Sequence, residues 1–119
     1  MFKSMSKKVS EEHLNTIIGD GTTFNGVLSV SGSVRIDGKV TGKLDATGHI
    51  TVGQNGIIES NEIIKCLSAH IAGIIKSDVL APMRVHLTGT ARLIGNITTK
   101  VLVIEEGAVF TGKSDMGVE

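Results

Sequence analysis

The chain has one cysteine, one proline, and neither tryptophan nor tyrosine among its 119 residues. A lone Cys66 excludes an internal disulfide and fits a reducing compartment. With no base placed beside it by any motif, it reads as a buried or inert thiol rather than a nucleophile. There is no signal-peptide core and no apolar run long enough to cross a bilayer as a helix. Twelve basic and twelve acidic residues cancel. The chain as a whole therefore lacks the basic footprint of a nucleic-acid binder, and little net charge opposes self-association. The serine-hydrolase elbow Gly-x-Ser-x-Gly is missing. No residue pattern calls for a cofactor, so a cytoplasmic protein without enzymatic chemistry is expected.

What is present is a five-residue phrase: an apolar residue, a spacer, Gly or Ser, another spacer, then usually a second apolar residue. It begins at Phe24, Val40, Ile58, Ile75, Leu93 and Phe110, in steps of 16, 18, 17, 18 and 17 residues. Apolar residues recur six positions before these markers, at Ile18, Val34, Val52, Ala69, Leu87 and Ile104. In later copies a further set lies eight before, at Ile50, Leu67, Val85 and Leu102. Alternation at period two means strands with one buried face. Gly38, Gly56, Gly73, Ala91 and Ala108 stand two before their markers, where a strand must give way to a corner.

A unit of about 17 residues is too short for a strand–helix–strand crossover. It suits three short strands with tight corners, which is one coil of a triangular β-solenoid. The expectation is an all-β, single-domain, right-handed parallel β-helix of about six coils. Residues 16–113 form the helix, 1–15 a flexible leader and 114–119 a flexible tail. Two irregularities stand out. Glu62 falls at an inward position, and a one-residue bulge that turns Ile63 inward would relieve it. Ala81-Pro82-Met83 must form a corner or outer edge, because proline cannot donate to a ladder.

Candidate chemistry is sparse. His49, His70 and His86 alternate with the inward positions and are expected on the surface. His49 and His86 lie two coils apart, too far to share one metal ion. Arg35, Lys39 and Lys43 make a small basic patch that reads as a solvated face. A hexapeptide-type acyltransferase is an alternative, but its coils of 18 with apolar residues every six positions do not match these spacings. A second alternative is a solenoid that displays binding faces without polymerising.

Two features suggest partners. In the leader, Met1, Phe2 and Lys3 with Lys7 and Lys8 could dip into an anionic bilayer surface, or could be an unstructured start. At the ends, no polar cap closes the solenoid. The first coil offers Ile17, Ile18, Phe24, Val27 and Leu28, and the last offers Leu102, Ile104, Val109 and Phe110. Large apolar groups at both ends imply end-to-end stacking.

Val34-Arg-Ile-Asp-Gly-Lys-Val-Thr-Gly-Lys-Leu44 and Leu102-Val-Ile-Glu-Glu-Gly-Ala-Val-Phe-Thr-Gly112-Lys113, together with the coil repeat, resemble the bactofilin family over about Ile17 to Lys113. The resemblance implies a right-handed triangular β-helix that polymerises without nucleotide into non-polar bacterial filaments. It implies a membrane-binding N-terminal peptide, which Met1-Phe2-Lys3 with Lys7-Lys8 resembles, and a terminal apolar contact that maps onto Phe110. The implied partners are further copies of the chain, the inner face of the cytoplasmic membrane, and scaffold clients such as cell-wall remodelling enzymes. The implied roles are in cell shape, polar organisation and local wall remodelling.

Overall fold

The structure, a computed structural model, describes residues 14–115. Sixteen strands and no helix occur among the described residues. In chain order they are β1 (Leu14–Ile18), β2 (Thr23–Val30), β3 (Ser33–Ile36), β4 (Lys39–Ala46), β5 (His49–Val52), β6 (Ile57–Glu59), β7 (Ile64–Lys65) and β8 (Ser68–Ile71). The second half follows with β9 (Ile74–Lys76), β10 (Val79–Ala81), β11 (Arg84–Leu87), β12 (Arg92–Ile94), β13 (Ile97–Thr99), β14 (Leu102–Ile104), β15 (Val109–Thr111) and β16 (Ser114–Asp115). Every pairing between them is parallel, and they wind into about six three-sided coils.

The first face is the sheet β1-β3-β5-β8-β11-β14. The second runs β4-β6-β9-β12-β15 and the third β4-β7-β10-β13-β16, with β2 paired to β4. In the first two coils, β2 and β4 continue without a break around the corner between these faces. The markers form one stacked column on the second face: Phe24, Val40, Ile58, Ile75, Leu93 and Phe110 are successive ladder partners. The four middle members are almost fully buried. Each is covered by the coils on either side, as a solenoid core requires.

The Gly or Ser of each phrase lies at the corner that follows. Gly26, Gly42, Gly95 and Gly112 have φ between +122° and +148° there, a region that L side chains rarely enter. The corner is also crowded, because a Cβ on Gly42 would run into the carbonyl oxygen of Gly26. Two coils use serine instead and satisfy the corner carbonyls with a hydroxyl. Ser77 donates to the Glu62 carbonyl at 2.8 Å. Ser60 donates to the same carbonyl and accepts from the Glu62 N–H, both at 3.0 Å.

Several local expectations are corrected. The corner before β7 widens by more than one residue, so Glu62 and Ile63 both face solvent and Ile64 turns inward. The step from Asp45 to its partner Lys65 is accordingly 20 residues, and the next, to Leu80, only 15. Leu67 is exposed at a corner, while Cys66 fills the core below it. Ala69 stacks with Ile50 and Val85, and Ile71 takes the place beside Val52 and Leu87. Leu14–Asn15, assigned to the leader, belong to β1. Ser114–Asp115, assigned to the tail, pair with Ile97–Thr98. Ala81 ends a strand and Pro82 and Met83 turn the corner after it, as proline's missing N–H requires.

Gly42→Ala would force a side chain into both a positive φ and a neighbouring carbonyl. It should cost at least about 1–3 kcal/mol, read as a lower denaturant midpoint at constant m-value. A midpoint equal to wild type would show that the corner relaxes freely.

Candidate functional site

The two ends of the stack are where the repeat stops satisfying itself. At the first coil, Phe24 and Leu28 of β2 lie over Val40 and Leu44 and are only partly buried. At the last, Leu102, Ala108 and Phe110 pack against the core from one side. Ile104 follows Leu87 in its inward column yet is 47% exposed, against 0% for Leu87. Among the described residues β14, β15 and β16 each have a strand partner on one side only. An apolar layer and three strands paired on one side only therefore face outward together, a surface that natural sheets normally cover.

Not all of the candidate end residues join this layer. Ile17 pairs with Arg35 in an outward column and is 62% exposed. Val109 pairs with Arg92, also outward, while its neighbour Phe110 continues the inward marker column. Both sit on lateral faces rather than in the inward columns. Ile18, Phe24, Leu28, Leu102, Ile104 and Phe110 remain in inward columns. Ala108 joins them, and the small residue two before each marker was the signal for it. The membrane reading of Met1, Phe2, Lys3, Lys7 and Lys8 lies outside the described residues.

The titratable residues form surface pairs. Arg35 bonds Asp37 at 2.8 Å. Lys39 and Lys76 flank Glu59 at 3.9 and 3.6 Å, and Lys43 lies 4.0 Å from Asp45 and 3.8 Å from Glu62. The basic patch is thus neutralised by its own neighbours. The histidines line the first face. His70 and His86 are ladder partners with ring centroids 4.8 Å apart, and His86 Nε2 bonds Glu105 at 2.6 Å. His49 bonds the Ser68 hydroxyl. Burial, then His86 and Arg84, lower the His70 pKa, with Glu105 opposing them. Among the described residues no group of three or more His, Cys, Asp or Glu could hold a metal ion.

A further motif near the C-terminal end bears on nucleotide binding. Gly107-Ala-Val-Phe-Thr-Gly112-Lys113-Ser114 spells the phosphate-loop pattern Gly-x-x-x-x-Gly-Lys-Ser. Its context is wrong for that function, which needs a loop between a strand and a helix whose N-terminus receives the phosphates. Here Val109–Thr111 is a strand laddered to β12, Gly112 is a corner, and Ser114 opens the next strand. The letters arise from the solenoid phrase itself.

A family model described as "Bactofilin: Polymer-forming cytoskeletal" matches residues 16–115. The chain belongs to the bactofilin family. Two curated bactofilins of Myxococcus xanthus (strain DK1622) are similar to it. BacP is 29% identical over 87% of this chain, and BacO 30% identical over 88%. The chain spans 42% of the length of BacP and 82% of BacO. Two solved structures of Thermus thermophilus bactofilin share the fold. A cryo-EM reconstruction of double helical filaments has 37% identity and a TM-score of 0.79, covering 83% of this chain and 96% of that one. The crystal structure of a Phe-to-Arg mutant has 34% identity and a TM-score of 0.71, covering 77% and 99%. The bactofilin assignment carries a cytoskeletal filament role and displaces the acyltransferase reading.

Within the bactofilin core, Cys66 stacks with Ala46 and Ala81, and burial pushes its thiol pKa up to about 12. Native protein near pH 8 should therefore alkylate at least about a hundredfold more slowly than denatured protein. Mass spectrometry after a timed iodoacetamide pulse measures the ratio. Equal rates would place the thiol at an accessible surface.

Proposed function

We propose that this bactofilin is a structural subunit that stacks end to end, without nucleotide, into non-polar filaments. These associate with the cytoplasmic membrane and scaffold cell shape and local cell-wall remodelling. The observation that carries the reading is the pair of ends that, among the described residues, each show an incomplete core layer rimmed by strands paired on one side. Stacking supplies the missing coil to both. Each end is apolar in its own right, Phe24 and Leu28 at one and Leu102, Ile104 and Phe110 at the other, so each suits contact with its own copy in a filament without polarity. The strand–corner–strand form of Gly107–Ser114 supports assembly without nucleotide. The resemblance of Met1-Phe2-Lys3 and Lys7-Lys8 to a membrane-binding peptide supports the bilayer as a partner. Wall-remodelling enzymes as clients follow from the bactofilin family alone.

Complete burial of one phenylalanine is worth about 1.5–3 kcal/mol, and a buried unpaired charge costs several more. Phe110→Arg should therefore yield small soluble species with an unchanged β signal by circular dichroism. Wild type should pellet on ultracentrifugation whether or not ATP or GTP is present. Pelleting of Phe110→Arg like wild type would sink the end-to-end reading and favour a module that does not polymerise.

Deletion of residues 1–8 should abolish co-flotation with anionic vesicles in a density gradient while filaments persist in negative-stain micrographs. Undiminished vesicle binding would remove Phe2 and the three lysines from the membrane contact.

A further inference from the structure

The corner that joins the third face to the first recurs once per coil, so its residues line up along one edge of the solenoid. In three successive coils this edge carries exposed apolar side chains: Leu67 (41% exposed), Met83 (55%) and Val101 (44%). Hydrogen bonds between coils tie the edge together: the Met83 N–H donates to the Leu67 carbonyl at 3.0 Å, and the Val85 N–H donates to the Val101 carbonyl at 2.8 Å, which sets Val101 one register position past Met83, opposite Arg84. Exposed basic residues flank the row at Lys65, Arg84 and Lys100. None of these three has a carboxylate within 4.0 Å among the described residues, unlike Arg35, Lys39, Lys43 and Lys76. For Arg84 and Lys100 the sequence contributes, since no Asp or Glu occurs from Val79 to Ile104; Lys65 has Asp45 as its ladder partner, whose carboxylate lies 4.0 Å from Lys43 instead.

We propose that this third edge is a lipid-facing surface, with Leu67, Met83 and Val101 entering the headgroup region of an anionic bilayer and Lys65, Arg84 and Lys100 meeting lipid phosphates. The proposal rests on the membrane association proposed above and names the part of the folded domain that shares in it. Two observations select a bilayer as the occupant. Positive charge with no carboxylate in ion-pair range, beside apolar side chains, complements an anionic interface, where basic stems bury their methylenes and keep their charges at the phosphates. The apolar residues project from a convex corner, whereas partner peptides settle into grooves. End-to-end stacking would repeat the row along one side of a filament, where weak contacts add through valence.

Full-length polymerised protein is floated through a density gradient with vesicles of phosphatidylcholine alone and of phosphatidylcholine with phosphatidylglycerol. Lys65→Gln, Arg84→Gln and Lys100→Gln combined should weaken binding to the anionic vesicles by roughly tenfold or more, with filaments unchanged. The chain contains no tryptophan, so Met83→Trp reports a single site. Its emission should shift to the blue on anionic vesicles. If wild type binds but the triple variant binds equally, or if the Met83→Trp emission stays unshifted on bound filaments, the edge assignment is overturned and membrane binding by other residues stands. If wild type binds no vesicle, the membrane reading itself fails and this proposal fails with it.

Discussion

Everything in this fold depends on one coil covering the next. A three-sided turn of about 17 residues has no interior of its own. Its inward side chains are buried only because the same columns continue above and below. Val34, Val40, Ile58 and Leu93 reach 0% exposure that way, and the strands exchange their hydrogen bonds along the same axis. Stability is therefore close to a sum of nearest-neighbour terms, and the two outermost coils are each missing one such term. Chain ends are a minor concern for most globular folds. Here they leave Phe24 and Phe110 half-covered and make self-association an extension of folding.

The same constraint explains what could be read before the structure. The second face was legible because its residues keep nearly constant spacing. The six markers chosen from sequence are the six members of one ladder column. The first and third faces were less legible because the corners between faces vary in length. Ile18 stands six residues before its marker and Ile36 four before, yet the two are ladder partners. Counting back a fixed distance consequently missed Ile36 and Ile71 and promoted Leu67, which sits at a corner. Near Glu62 the corner absorbs extra residues, and no local rule says how many. A period-two pattern is blind to this, since one residue of slip reverses which side chains are buried. The end layer was partly legible for the same reason. Phe24, Leu28, Leu102, Ile104 and Phe110 were recognisable as apolar members of inward columns, whereas Ile17 and Val109 required the observed register to be placed outside.

The outward columns obey a different logic. A parallel ladder brings residues of successive coils within reach on the surface, so charges must alternate in sign along the axis or repel. Glu59 lies between Lys39 and Lys76 in space, and Lys43 reaches Glu62 from the coil before it. On the first face His86 is held by Glu105, and His70 abuts His86 edge-on. These pairs are solvated and individually weak. Their effect is to neutralise Arg35, Lys39, Lys43 and Lys76 locally, whereas Lys65, Arg84 and Lys100 on the third edge, like Arg92 on the second face, have no carboxylate within 4.0 Å among the described residues.

A subunit whose ends and sides are separate surfaces can couple assembly to location without any conformational switch. The end layers are built from inward columns, so their chemistry is fixed by the core and has little freedom to drift. The side chains of the third edge carry little packing burden: Met83 is more than half exposed and can vary at little cost to the stack. Contacts with a flat target made through corners are weak in one subunit, but stacking makes each further contact intramolecular and multiplies their effect. The edge of a single subunit, with three cations, would detach readily, while a row of such edges along a filament would remain bound. Polymerisation would then act as the amplifier of membrane affinity, and a lesion at Phe110 would weaken vesicle binding even though that residue never touches lipid.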